Sequence, residues 1–462
     1  FLKIEQFNPN YKHKSFLNAI IFAIVCVNVA MICLVLVVWL PNPKHKNVCG
    51  VAIGMADVDT GVRFHVRCVA SEFNLLIVDD ASEKSLFNKD FAIEKKQDYT
   101  GVAVVSDLPP FVLLQYRVEF YQAEERGANG RRGVVIRDTF RAWSSKQELP
   151  RNETMSFVVG SCLLPDRASA LTVPDQVLRR RPYASVFLGD TIYADQPRAH
   201  GLDLDNFQIR YRQVWADSSL SRLRRRVPSM YMYDDHELIN DWSNGIDKPW
   251  TDAIELAWHQ HVGVANARPF VDTDATARYF NTSFGQGNCL FVSDTRRYRS
   301  DNQVPRGNAN KTMLGDTQLT ALTQWLRWSN ETCRTRFWAS TVPFALSAGP
   351  LLDAWAGFEV ERNYLLDLFR KDKLPLIILS GDKHASAAIN IINNHVVELS
   401  CSPYDAYFAL SDQFSTKAEE ESVLISLYRD RFFGSVLIND NIVTLQLFNG
   451  KGERKFEKRV EF

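Results

Sequence analysis

The sequence lacks an excess of charge of either sign. Lys and Arg together number 54, and Asp and Glu together also number 54, so the formal net charge is zero. Proteins that hold nucleic acid through bulk charge carry a basic surplus. The balance therefore argues against that class, and we expect no nucleic-acid partner. A nuclease activity is disfavoured on the same ground.

Charge is missing altogether from residues 16–40, a run of 25 residues. As a helix with a rise of ~1.5 Å per residue, this run would be ~37 Å long, enough to cross a ~30 Å hydrocarbon core. It is too long for the apolar region of a signal peptide and lacks a small-residue cleavage site. We predict a cytosolic tail over residues 1–15 and one transmembrane helix over residues 16–40.

The charges flanking this span differ only slightly, so they barely bias its orientation. Glycosylation sequons are more informative, because all four follow the span, at Asn152, Asn281, Asn310 and Asn330. We predict a single-pass, glycosylated membrane protein with a cytosolic N-terminus and a lumenal or extracellular body.

Residues 48–149 contain short segments that alternate apolar and polar residues, such as 62–67 and 116–120. Turns rich in Gly, Asp and Pro divide them. Several short strands at this spacing predict a small β-sandwich domain, Ig- or fibronectin-like. No residue in this domain indicates a catalytic or metal-binding role.

The cysteines separate by position. Cys49 and Cys68 would face each other in a hairpin centred between residues 58 and 59, so we predict a disulfide and an oxidising compartment. Cys289 and Cys333 each precede an apolar strand segment and could pair if those strands are neighbours. Cys162 is either a metal ligand or a buried inert thiol.

Four short apolar runs, at residues 157–160, 186–189, 230–233 and 376–381, predict buried strands. Open α/β sheets place their sites just past the carboxyl ends of strands. A single Asp-His pair would usually be a helix cap or a surface pair, but four such strand ends in one chain predict a metal centre. The residues that follow the runs are Cys162, Asp190, Tyr193, Asp235, His236, Asn240, Asp382 and His384.

The rest of residues 150–462 alternates helices and strands and ends in β-structure. Helices are predicted over residues 173–181, 206–226 and 252–267. The fold class is therefore α/β (α+β), with the transmembrane helix and the small β-sandwich ahead of the larger domain.

The strand-end motifs resemble those of the alkaline phosphatase D (PhoD-like) family of calcineurin-like metallophosphoesterases. The resemblance covers roughly residues 48–462, with weaker agreement at 293–299 and 312–319. It implies a four-layer αββα metallophosphoesterase domain over residues 150–462. The motifs that carry it are Gly160-Ser161-Cys162, Gly189-Asp190-x-x-Tyr193, Asp234-Asp235-His236-Glu237-x-x-Asn240 and Gly381-Asp382-x-His384.

Phosphoester hydrolysis brings one anion to another, and two adjacent cations relieve the repulsion and lower the pKa of bound water. Asp190 is the natural bridging ligand. Cys162 and Tyr193 would share one metal with it, and thiolate and phenolate donors favour Fe³⁺. At the other metal, Asp235, Asn240 and Asp382 suit Ca²⁺, Mg²⁺ or Mn²⁺.

The remaining candidates would act on the substrate. His236 is predicted to contact the phosphate or protonate the leaving oxygen, and is assigned with Asp190 as catalytic. His384 would bind a metal or assist substrate binding. Arg296 and Arg299 would clamp phosphate as planar forks, and loop ion pairs are the competing interpretation.

The resemblance implies iron with calcium as cofactors, with Zn, Mn or Mg as alternatives. It implies phosphomonoester or phosphodiester substrates, in some members lipid head groups, and it identifies no protein partner. Two positions depart from the family pattern: Tyr233, where Trp is common, and Lys383, where a small apolar residue is common. The competing hypothesis is a catalytically inactive ectodomain that uses the fold as an interaction scaffold, but no ligand position is lost.

Overall fold

The computed structural model describes residues 46–55, 61–122, 133–144, 147, 149–150, 153–164, 171–195, 203–245, 251–266, 278–283, 285, 287–346, 352–414 and 421–462. Within these ranges lie 20 strands in three sheets and six α-helices. The predicted tail and transmembrane helix, residues 1–40, lie outside them. None of the helices in these ranges is long and apolar enough to span a bilayer.

The first large sheet has nine strands. Its centre is parallel, because β8, β9 and β10 run in the same direction. The order across the sheet is β20 (Arg454–Glu461), β19 (Ile442–Asn449), β18 (Phe432–Asn439), β8 (Met155–Gly160), β9 (Ala184–Leu188), β10 (Ser229–Met232), β1 (Gly50–Met55), β2 (Val62–Arg67) and β5 (Thr100–Val105).

The second large sheet has seven strands. The order across it is β11 (Phe280–Ser283), β12 (Asn288–Val292), β13 (Thr335–Ala339), β14 (Leu376–Ser380), β16 (Val396–Ser400), β15 (Ser386–Ile392) and β17 (Ser422–Leu427). Strands β12, β13, β14 and β16 run parallel to one another, whereas β11, β15 and β17 pair in antiparallel.

Three apolar cores define the layers of the larger domain. One lies between the two sheets and joins side chains such as Phe157 and Val186 to Phe337 and Ile377. The other two cores lie on the outer sheet faces, under helices. The arrangement is helix, sheet, sheet, helix, as the resemblance implied. The helices are α1 (Val173–Leu178), α2 (Leu204–Ala216), α3 (Ser218–Arg226), α4 (Thr251–His261), α5 (Gly315–Thr332) and α6 (Glu359–Lys371).

The predicted small β domain has its own apolar core but shares a sheet with the larger domain. Its four-stranded sheet has the order β4 (Ser85–Ala92), β3 (Glu72–Asp79), β6 (Leu113–Tyr121) and β7 (Val135–Arg141). Strand β1 pairs in parallel with β10, in register at Gly54 and Ser229. A Cβ at Gly54 would lie 2.1 Å from the carbonyl oxygen of Ala265, so the close approach requires glycine.

The helix predicted over residues 206–226 is two helices, α2 and α3. They separate at Asp217, whose backbone is extended (φ −64°, ψ 122°) and whose carboxylate accepts a hydrogen bond from the Leu220 N–H at 2.7 Å. Asp competes with helical hydrogen bonding by capping, which explains the break. The apolar pattern continues across it, so periodicity alone did not detect it.

The predicted Cys49–Cys68 disulfide is present, and so is the Cys289–Cys333 disulfide that the sequence left open. Cys49 and Cys68 flank the β1–β2 pair, and their Cα atoms are 4.2 Å apart. Cys289 on β12 pairs with Cys333, which directly follows α5, because β12 and β13 are neighbours as the pairing required. Cys162 and Cys401 are buried free thiols.

The sequons differ in accessibility. Asn310 and Asn330 are exposed. Asn281 lies in edge strand β11 rather than in a surface loop, and its side-chain Nδ2 is buried. Folded protein therefore does not offer Asn281 as a glycan acceptor. Asn152 lies outside the described residues.

Candidate metal centre

The predicted ligands gather where parallel strands of both large sheets end. Strands β8, β9, β10 and β14 end at Gly160, Leu188, Met232 and Ser380, close to the predicted boundaries. After three of these ends the chain adopts a left-handed backbone: φ is 61° at Cys162, 52° at Asp190 and 71° at Asp382. Non-glycine residues seldom adopt this conformation, and such strain concentrates at functional sites.

A first donor group contains Cys162, Asp190 and His384, whose ligand atoms lie within 4.8 Å of one another. The Cys162 Sγ is 3.4 Å from Asp190 Oδ2 and 3.1 Å from the hydroxyl oxygen of Ser402. The Tyr193 hydroxyl is 3.2 Å from His384 Nε2, so the predicted phenol belongs to the same group. The three side chains predicted around the first metal therefore meet, and His384, predicted either to bind a metal or to assist substrate binding, lies with them.

The tautomer of His384 leaves one ring nitrogen for a metal. Its Nδ1 lies against the carbonyl oxygen of Tyr407, which can only accept a hydrogen bond, so Nδ1 carries the proton. The rings of His384 and Tyr407 stack, with their centroids 4.2 Å apart. Burial lowers the pKa of His384, which favours the neutral imidazole with a lone pair on Nε2.

A second donor group contains Asp190, Asp235 and His236, again within 4.8 Å. Asp190 belongs to both groups, which is the position of a bridging ligand. The His236 Nδ1 lies 2.9 Å from Asp195 Oδ1, a residue that the sequence analysis missed. This contact occupies Nδ1 and leaves Nε2 for a substrate.

Glu237 fixes the two loops that carry these groups. Its carboxylate accepts hydrogen bonds from the backbone N–H of Asp190 at 2.9 Å and of Asp234 at 2.7 Å, and also from Thr191. Glu237 is fully buried, and burial raises its pKa to about 7 even though these hydrogen bonds oppose the shift. It was quoted in the motif, but its positioning role requires the three-dimensional contacts.

Three of the donors are acids whose ionised forms are disfavoured by burial. Burial raises the pKa of Cys162 to about 11, and burial also raises the pKa of Asp190 and of Tyr193 well above their ordinary values. A bound cation favours the charged forms of such groups. One thiol, one carboxylate, one phenol and one imidazole nitrogen converging in this way fit a transition-metal ion.

Nearby carboxylates favour the protonated form of His236. Burial opposes its protonation, but Asp190, Asp195 and Asp235 outweigh burial and raise its pKa to about 10. The ring centroid of His236 lies 4.3 Å from that of Tyr193. The two donor groups are therefore in contact through these rings.

Comparison with known proteins identifies the family. The sequence profile described as PhoD-like phosphatase matches residues 157–430, more than half of the chain. The chain belongs to the PhoD-like phosphatase family. A curated relative, alkaline phosphatase D of Bacillus subtilis (strain 168), is 27% identical over 248 residues, which are 44% of this chain and 41% of that protein. The match thus spans about two fifths of the relative's length.

Two solved structures show that the PhoD-like fold extends over most of the chain. A structure of PhoD superposes with a TM-score of 0.69 at 16% identity and covers 89% of this chain and 88% of that chain. A purple acid phosphatase, PPD1 from yellow lupin seeds, gives a TM-score of 0.61 at 12% identity and covers 90% of this chain and 74% of that one. At these identities both comparisons concern the fold alone.

In this PhoD-like chain, Arg296 and Arg299 form the ion pairs that were the competing interpretation. Both side chains have no exposed surface, and both donate to Asp353 Oδ1, at 2.6 Å and 2.7 Å. Arg296 also pairs with Asp234. Because these guanidinium groups are buried and bonded to carboxylates, they are not presented to a phosphate in this conformation.

Two further residues, Asp382 and Asn240, were predicted as ligands of the second metal. Asp382 groups with Asp234 and Asp235. Asn240 is exposed, and its backbone N–H donates to Asp195 Oδ2 at 3.2 Å. Asp234 and Asp353 were not predicted, and only Asp234 lay within a motif that could have indicated it.

Proposed function

We propose that this chain is a metal-dependent phosphoesterase with a dinuclear centre. The single observation that carries the proposal is the position of Asp190, which belongs to both donor groups at the ends of parallel strands. The first group, with Cys162, Tyr193 and His384, would hold Fe³⁺. The second, with Asp235 and the predicted ligand Asn240, would hold Ca²⁺.

When bound, the two metals would neutralise phosphate oxygens and lower the pKa of a bound water. The chain's own residues supply the rest. Asp195 holds Nδ1 of His236 and leaves Nε2 free, so His236 in its protonated form would donate a proton to the leaving oxygen of a phosphomonoester or phosphodiester. Asp195 orients the ring, and Glu237 holds both ligand loops.

The test combines elemental analysis with hydrolysis of p-nitrophenyl phosphate and bis-p-nitrophenyl phosphate by the full chain in detergent. We expect iron plus a second metal, and a visible phenolate-to-iron band that Tyr193→Phe bleaches. His236→Ala should retain both metals and lose rate by ~10²–10⁴-fold. Protein that stays metal-free after reconstitution would instead support the interaction-scaffold hypothesis.

We also propose that residues 16–40 anchor this body in a membrane, with the body lumenal or extracellular. The uncharged run, the exposed sequons at Asn310 and Asn330 and the two disulfides support this proposal. A lipid head group is then a reasonable phosphoester substrate. Protease added to sealed vesicles from the cytosolic side should leave the body intact; digestion of the body would refute the orientation.

A further inference from the structure

Lys383 places a cation inside the centre, between the predicted ligands Asp382 and His384. Its ammonium nitrogen lies 2.6 Å from Asp382 Oδ2, and only 7% of its side chain is exposed. Buried lysines are rare unless they are paired. The backbone holds the residue in place, because Asp382 and His384 both have left-handed φ angles, of 71° and 51°.

Two acidic groups lie near this ammonium group. Neither contains Asp190, and both contain Asp235, which also belongs to the second donor group. Besides its contact with Asp382, Lys383 interacts electrostatically with Asp353 and Asp241. The ligand atoms within each of the two groups lie within 4.8 Å, the spacing expected around a cation. The groups are Asp234, Asp235 and Asp382, and Asp235, Asp241 and Asp353.

The chain's own cations already serve these two groups. Arg296 pairs with Asp234, Asp235 and Asp353, Arg299 pairs with Asp353, and Lys383 pairs with Asp382. By contrast, within the described residues no Lys or Arg forms an ion pair with Asp190, and the basic group next to it is His236. The permanent cations of the centre therefore lie on the Asp382 side.

We propose that Lys383 is a built-in cation that occupies the position a further divalent ion would take at Asp382. It would thereby restrict metal binding to the two groups that share Asp190. This inference rests on the proposed function, and it gives Asp382 a charge-balancing role instead of its predicted role as a ligand of the second metal.

The experiment counts bound ions. Metal-free full chain in detergent is dialysed to equilibrium against increasing Ca²⁺, and bound calcium per chain is measured by mass spectrometry. Lys383→Met removes the charge and keeps a long side chain. We expect this variant to bind one more Ca²⁺ per chain than wild type. Removal of a like charge a few ångströms from a divalent ion should raise its affinity at least ~10-fold.

Two matched variants test the mechanism. Lys383→Arg keeps the positive charge and should keep the wild-type number of ions. Lys383→Met combined with Asp382→Asn should lose the additional ion, because its carboxylate ligand is gone. The melting temperature with and without Ca²⁺ gives a second readout, and only Lys383→Met should gain Ca²⁺-dependent stability beyond wild type.

A separate arm uses the wild-type lysine. Asp382→Asn alone should leave the number of bound ions unchanged, and this remains informative if Lys383→Met does not fold. Equal ion counts for wild type and a folded Lys383→Met, or loss of an ion in Asp382→Asn, would overturn the inference. Failure of the proposed function gives a different result, namely no Asp190-dependent metal binding in wild type.

Discussion

Two buried acids, Asp190 and Asp98, show how differently this fold treats negative charge. Asp98 accepts hydrogen bonds from Arg67 Nε at 3.1 Å and Arg212 Nε at 2.8 Å, and His261 Nε2 lies 3.2 Å away. These partners overcome burial and hold the pKa of Asp98 well below its usual value. Asp190 has a thiol, carboxylates and His236 as neighbours but, within the described residues, no Lys or Arg partner, and burial raises its pKa well above the ordinary value although His236 opposes the shift.

The difference separates a structural charge from a functional one. The Asp98 cluster joins β2 of the small domain to α2 and α4 of the larger domain, and it carries its cations with it. The Asp190 cluster leaves part of its charge for a ligand to neutralise. Breaking the first should therefore cost folding free energy, whereas breaking the second should cost metal and activity.

The largest expected effect is that of Asp190→Asn. Both donor groups lose their shared ligand, so metal binding and phosphoester hydrolysis should fall together, with a rate loss on the order of 10⁴-fold or more. The free energy of unfolding of the metal-free protein should fall much less than in Asp98→Ala, because the amide keeps the size of the side chain and within the described residues Asp190 has no Lys or Arg partner to leave unpaired. Elemental analysis, hydrolysis assays and urea unfolding test this, and full activity in the variant would contradict it.

Asp98→Ala should do the opposite. It leaves Arg67 and Arg212 buried without their carboxylate, which should lower the free energy of unfolding by about 3–5 kcal/mol. Metal content per folded molecule should stay at the wild-type value. The exposed Asp80→Ala in the same domain is the control, and equal urea midpoints for the two variants would remove the contrast.

The next largest effect should be on the pH dependence of the free energy of unfolding, through His261 of the Asp98 cluster. Burial lowers the pKa of His261 to about 4 in the folded protein, against an ordinary value of 6.5. Between these values the unfolded chain binds a proton at His261 that the folded chain does not, so the contribution of His261 to the free energy of unfolding should fall by about 3 kcal/mol as the pH falls from 6.5 to 4. His65, also buried with a lowered pKa, adds in the same direction. Buried acids with a raised pKa, such as Glu237, act in the opposite direction, so a matched variant is needed to isolate His261.

Urea unfolding at several pH values in this window measures the effect. His261→Gln keeps a donor for Asp98 but cannot titrate, so the stability of wild type relative to this variant should fall as the pH falls from 6.5 to 4. Equal slopes would show that His261 does not couple protons to folding.

The smallest expected effect is that of removing the Cys49–Cys68 disulfide, which lies beside Arg67. The double variant Cys49→Ala/Cys68→Ala should lose about 2–3 kcal/mol of stability. Hydrogen exchange should rise in β1 and β2, while hydrolysis by the folded protein stays at the wild-type rate. Loss of metal in this variant would show that the Asp98 cluster and the Asp190 cluster are not independent.

The sequence predicted the local features of this molecule well. The strand ends before Cys162, Asp190 and Asp382 were predicted correctly, because each apolar run stops abruptly at a polar residue. The Cys49–Cys68 pair was found from symmetry about a hairpin. Such features depend on neighbours in the chain, which a pattern can reveal.

What the sequence did not reveal depends on distant contacts. The pairing of β1 with β10 joins residues far apart in the chain, so the small domain was predicted as separate. Arg296 and Arg299 were predicted as phosphate ligands because their partner, Asp353, lies more than fifty positions away. Asp195 was missed because its role appears only beside His236.

The entry of the chain into β1 has a mechanical consequence. Tension on the chain ahead of residue 46 would reach β1, which is paired on one side with β10 of the metal-bearing sheet and on the other with β2. The Cys49–Cys68 bond joins the residue before β1 to the residue after β2, so it transfers this load to β2. Strand β1 therefore cannot be pulled out of the sheet starting from its first residue. The body should therefore tolerate pulling on its N-terminal side without distorting the strand that precedes the Asp235 loop.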